Sequence, residues 1–144
     1  MFYDPSVEEF VDENGCDCSS CLIRYAALSH FEKEMDVRFG PQLCMYLLRY
    51  GYLGFKFVDL YGINSFQGKE SDMVKVTKRL HSKYPETKGL TALEDRGEAD
   101  YRLVDSDDKV YTFIPEAKIF EPTGMNLSQY ILSRFQEVRE YSSE

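Results

Sequence analysis

Apolar residues first recur along the chain as Val7, Phe10 and Val11, with Glu8, Glu9, Asp12 and Glu13 between and after them. Steps of three and four place them on one helical face. The ends of this first helix are marked, with Asp4 as cap, Pro5 at the first helical position and Gly15 as the stop. Ile23, Ala27, Leu28, Phe31 and Met35 repeat the spacing. They predict a second helix starting near Ser19 or Ser20, with Glu32, Lys33 and Glu34 towards water. Pro41 can open a third, with Leu43, Cys44, Leu47 and Leu48 inward and Gly51 at its end.

The period then changes. "FKFVDLY" alternates Phe55, Phe57, Asp59 and Tyr61 with Lys56, Val58 and Leu60. Both sets are mostly apolar, which predicts one central strand. Gly51, Gly54 and Gly62 around it raise the question of a phosphate-binding loop. Such a loop needs strand, glycines, then helix, so that backbone N–H groups face the anion; here the helix precedes the glycines, and neither GxGxxG nor GK[ST] occurs.

Met73, Val76, Leu80 and Tyr84 predict a fourth helix, capped by Ser71 or Asp72 and ended before Pro85. "LTALED", "ADYRLVD" and "KVYTFIP" are short, β-rich and separated by polar turns, which predicts an antiparallel meander. Lys118 to Phe120 adds an edge strand. Asn126 and Gln129 form a capping-box pair before a final helix carrying Leu127, Tyr130, Ile131, Phe135 and Val138. The order predicts one α+β domain over residues 1–144, with N-terminal helices and a C-terminal helix gathered against one side of a mainly antiparallel sheet.

Composition narrows the class. Hydrophobic residues at 43% and charged residues at 29% fit a folded chain with one core. The longest nearly apolar run, Leu43 to Leu48, is far short of the roughly 18 residues a membrane span needs, and the N-terminus opens with acid where a signal peptide carries base. The expected compartment is the cytoplasm, with no membrane partner. A net charge of −8 opposes nucleic-acid binding and favours a basic partner.

The run "VEEFVDENG", "LSHFEKEMDVRFGPQLCMYLLRYG", "FKFVDLYGI", a helix, "GLTALED" and "YRLVDSDDKVYTF" resembles the SUKH superfamily from about Val7 to Val138. The resemblance is carried by Phe31 and Glu32, the proline opening the third helix, Tyr50 and Gly51, Leu60-Tyr61-Gly62 and the late "VYTF". The superfamily includes yeast cell-wall synthesis regulators and bacterial toxin-immunity proteins. The resemblance implies a small cytoplasmic α+β protein, without catalysis or cofactor, that binds and neutralises a cognate toxin, often a nuclease.

The residues supply a matching surface. Between Glu94 and Asp108 lie seven acids (Glu94, Asp95, Glu98, Asp100, Asp105, Asp107, Asp108) and two bases, a local balance of −5. These carboxylates could meet basic groups in a toxin's cleft, although hairpin turns favour Asp in any case. Tyr101, Tyr111 and Tyr61 are candidates for an accompanying aromatic patch, against the simpler reading that they fill the core.

Other chemistry is weaker. Cys16, Cys18 and Cys21, with Cys44 or His30 as fourth ligand, offer a zinc set, but the spacing lacks two CxxC-like pairs and reduced thiols are expected. "DSDDKVYTFIPE" puts Asp105, Asp107 and Glu116 at calcium-loop positions 1, 3 and 12, yet position 6 is Val110 where glycine is needed. His30 and His81 sit on helices without a nucleophile motif. Glu94 and Asp95 are adjacent, so as strand residues they point to opposite faces. The alternatives are a metal-dependent or hydrolytic enzyme using the cysteines or these carboxylates, and a regulatory scaffold.

Overall fold

A computed structural model of the chain describes residues 5–18, 24–63 and 73–142. The order is α1 (Pro5–Asn14), β1 (Asp17–Cys18), α2 (Ala27–Met35), α3 (Pro41–Arg49), β2 (Leu53–Phe55), β3 (Val58–Leu60) and α4 (Met73–Lys83). It continues with β4 (Thr91–Asp95), β5 (Tyr101–Val104), β6 (Lys109–Ile114), β7 (Ile119–Asn126) and α5 (Leu127–Ser142). The α+β class follows directly. Asp4, Ser19, Ser20, Cys21, Ile23, Ser71 and Asp72, named above for caps, a helix start or a metal set, lie outside the described residues.

The strands form two antiparallel sheets, β1-β2-β3 and the meander β4-β5-β6-β7. A hydrogen bond from the Tyr61 N–H to the Leu93 carbonyl, 2.7 Å, joins β3 to β4. The predicted central strand over 55–61 is instead a hairpin, in which Phe55 pairs with Val58. Lys56 takes the left-handed region at its turn, φ 55°. A side chain there costs about 1 kcal/mol, yet the sequence places no glycine or asparagine at positions 56 and 57 to mark the turn. Phe57 therefore points outward, 67% exposed, while Phe55 is buried.

Both faces of the meander are covered near β5, whose four residues are all buried. Glu94 pairs with Arg102 on the face reached by Tyr130 of α5. Phe113 pairs with Tyr101 on the other face, where Tyr84, just beyond α4, meets Phe113 edge-on at 5.2 Å.

The core runs through all five helices. Phe10 of α1 contacts Phe55 at 5.4 Å and Phe135 of α5 at 5.9 Å. Tyr46 of α3 is fully buried; its hydroxyl donates to the Tyr61 carbonyl (2.7 Å) and accepts from the Leu53 N–H (3.2 Å). One phenol thus fastens α3 to both strands of the hairpin. Gly62 sits where any Cβ would overlap the Gly51 carbonyl, so these glycines serve close backbone packing. At α5 the capping box is complete: the Asn126 N–H donates to Gln129 Oε1 (3.0 Å), and the Gln129 N–H to Asn126 Oδ1 (2.9 Å).

Candidate partner-binding site

The seven acids between Glu94 and Asp108 separate into buried and exposed groups. Glu94, 2% exposed, follows an irregularity in the β4–β5 register after Ala92. Its carboxylate accepts the Tyr130 hydroxyl and the Arg134 Nε–H, the latter at 3.0 Å. Burial, with the Glu94 charge, pushes the Tyr130 phenol well above its ordinary range. Burial works to lower Arg134, but the same carboxylate raises it on balance. Glu94 is therefore a tie between β4 and α5.

Asp108, 4% exposed, is engaged further away in sequence. It closes the β5–β6 turn and accepts the N–H groups of Gln42 (2.9 Å) and Leu43 (3.0 Å) at the start of α3. Any Cβ on Gly40 would overlap this carboxylate, so glycine there is a condition of the contact. Burial raises the Asp108 carboxyl above its ordinary value, against the two amide donors that pull it down. Tyr101, 8% exposed, is stacked under Phe113, and Tyr61 is buried at 7%. Glu94, Asp108, Tyr101 and Tyr61 are thus each less than a tenth exposed and do not form an exposed patch, although Glu94 and Tyr61 border a cleft.

Asp95, Glu98 and Asp107 remain exposed, and half-buried Asp100 pairs with Arg102. Asp105 organises the second turn: its Oδ1 accepts the N–H groups of Asp107 (2.8 Å) and Lys109 (2.9 Å), and its Oδ2 accepts the Tyr111 hydroxyl (3.0 Å). That hydrogen bond raises the Tyr111 phenol, keeping it a donor.

Tyr111 is half-buried and meets Phe120, 39% exposed, edge-on at 5.8 Å. Phe120 is paired with Phe113 across β6–β7. Sequence reasoning placed Phe120 on an edge strand but did not single it out for binding. The signal was the alternation Tyr111, Phe113 opposite Phe120, readable only once the β6–β7 register was fixed. Tyr111 and Phe120 form an apolar shelf beside the Asp105–Asp107 turn.

The metal candidates are not gathered among the described residues. Cys18 is exposed on β1, Cys16 half-buried beside it and Cys44 half-buried on α3, while Cys21 lies outside them. Burial, with Asp17, pushes the Cys16 thiol up to about 11. His30 is exposed and pairs with Glu34 at 3.5 Å. No group of three or more His, Cys, Asp or Glu able to hold a metal occurs among the described residues. In the calcium-like segment Val110 is a buried strand residue, and Glu116 lies in a 3-10 turn beyond β6. His81 donates its Nε2 hydrogen to the Leu90 carbonyl at 2.7 Å.

A cleft of about 460 Å³ opens where the hairpin abuts β4, lined by Phe57, Tyr61, Val76, Arg79, Asp95 and Arg96 among others. Nothing in the sequence pattern pointed to it, because it joins four separate elements, the hairpin, α4, β4 and α5. No helix among the described residues is long and apolar enough to cross a membrane.

No curated protein matches the chain. A family model described as SUKH_5: SMI1-KNR4 cell-wall matches residues 7–136, which takes in every element from α1 to most of α5. The chain belongs to that family, within the SUKH superfamily.

Proposed function

We infer that the protein is a non-enzymatic immunity-type protein of the cytoplasm, which neutralises a cognate toxin bearing a basic surface by stoichiometric contact. The observation that carries this reading is the shelf of Tyr111 and Phe120 beside the acidic turn. An aromatic centre supplies buried apolar area, and neighbouring carboxylates steer a cationic partner into place. Asp107, Glu116 and Glu121 are the exposed acids on and beside these strands; Asp105 holds the turn in shape.

The test requires a neighbouring reading frame that encodes a toxin domain, and uses that domain. The expected outcome is a one-to-one complex that abolishes toxin activity. Replacing Asp107 and Glu121 by Lys should slow association several-fold, and more at low ionic strength. Phe120→Ser should instead raise the dissociation rate. Unchanged rates for both variants would overturn the reading.

The family's description, which names the cell wall, supports a second reading as a regulatory scaffold. Recovery of cell-wall synthesis components as the stable partners, with no effect on any toxin, would decide for it.

A further inference from the structure

The end of α1 carries a pair of residues whose chemistry the partner-binding reading does not use. Asn14 is the last residue of the helix and Gly15 follows it, in the left-handed region at φ 60°. The Cys16 N–H donates across the glycine to the Val11 carbonyl at 3.2 Å, which closes the helix in the usual glycine-ended manner. Gly15 is exposed, and no atom lies within 4 Å of the place a Cβ would take. An asparagine followed by glycine is the pair in which a backbone nitrogen reaches the preceding side-chain amide with least hindrance, because the attacking residue has no side chain.

One contact holds the amide back. Asn14 Nδ2 donates to the Phe10 carbonyl at 2.9 Å. In the helical pattern that carbonyl also takes the Asn14 backbone N–H, so releasing the side chain leaves no acceptor empty. A terminal helical residue opens at little cost in free energy. Asn126 offers the contrast. Its side-chain oxygen accepts both the Gln129 N–H and the Ser128 hydroxyl, and the residue after it, Leu127, is fully buried.

We propose that Asn14–Gly15 is a site of spontaneous deamidation, at which the folded protein converts with age to aspartate and isoaspartate and loosens the end of α1. Hydroxide takes the proton of the Gly15 N–H, and the nitrogen adds to Asn14 Cγ. The new N–C bond closes a succinimide ring, the Cγ–Nδ2 bond breaks, and ammonia departs with a proton from water. A further water opens the ring at either carbonyl, giving aspartate or, with the backbone routed through the former side chain, isoaspartate. Nothing is oxidised or reduced. Both products put a carboxylate beside exposed Asp12 and Glu13, at the negative end of a helix whose last turn has no basic residue. The bond to the Phe10 carbonyl is lost with the amide. Phe10 and Val11, both buried, lie in the turn that this loosens.

The experiment incubates the full chain at mildly alkaline pH, folded and in urea, and follows each asparagine by peptide mapping with mass spectrometry. Isoaspartate is read by enzymatic methylation. Asn14 should convert in the folded chain at a rate within about tenfold of the unfolded chain, rising with pH, while Asn126 stays intact. Gly15→Ala should slow conversion several-fold and Asn14→Gln should abolish the isoaspartate signal. Freshly made Asn14→Asp should focus at the more acidic position of the aged protein, and both should unfold at lower urea than the fresh parent. A folded chain that lags the unfolded one by more than about tenfold, equal conversion of Asn14 and Asn126, a rate indifferent to Gly15→Ala, or an aged protein with an unchanged urea midpoint would each overturn the proposal.

Discussion

Tyr46 shows how one side chain can decide a local architecture. Its hydroxyl is the buried partner of both the Tyr61 carbonyl and the Leu53 N–H, so Tyr46→Phe leaves two backbone groups with no bond from it. The expected loss is about 2 kcal/mol in urea unfolding, with the slope unchanged; a loss below about 0.5 kcal/mol would mean the groups find other partners. Cys16 gives a pH test. Its folded thiol titrates near 11 against an ordinary 9.0, so the folded state holds the proton more tightly. The associated stability is complete below about pH 9 and lost as pH rises through 11. Alkylation of Cys16 by iodoacetamide should therefore keep accelerating, about tenfold per pH unit, beyond pH 9. A plateau near pH 9, as in the denatured chain, would refute this.

At the scale of elements, the sequence was most legible where local chemistry decides. The Asn126–Gln129 box lies within one turn of the helix it starts, and Leu127, Tyr130, Ile131, Phe135 and Val138 are all buried as their spacing implied. The hairpin at Lys56 was not legible, because tertiary packing of Phe55, Val58 and Leu60 holds a turn that no turn-forming residue announces. The acids of the meander divide for the same kind of reason. Burial of Asp108 depends on amides 65 and 66 positions away, and burial of Glu94 on α5, so composition alone reads both as surface. Asp108→Ala should destabilise the fold by about 2 kcal/mol, since a charged acceptor at a helix start is lost with two donors exposed. Asp108→Asn, which keeps one acceptor oxygen, should cost less; equal losses for the two would show that packing, not hydrogen bonding, makes the contact.

Across the whole molecule, the α+β order was readable because helix and strand periods fall in separate stretches of sequence. The division into two sheets was not, since the chain turns back at Lys56 to form a hairpin that meets the meander through the Tyr61–Leu93 bond. The surface carries an acidic aromatic shelf at β6–β7 and, at β4, a groove in which three arginines are balanced by three carboxylates. For the basic partner proposed for the shelf, raising salt should weaken the complex, and Asp107→Lys should reduce that salt dependence.

The clasp between the β5–β6 turn and α3 also bears on the order in which a growing chain acquires its structure. Leu43 is made 65 residues before Asp108, so the opening turn of that helix spends much of synthesis without the anion that completes it. Closing so long a loop carries an entropic cost and comes late. A chain halted short of residue 108 should consequently leave that turn frayed, however well the helix's own sequence favours it.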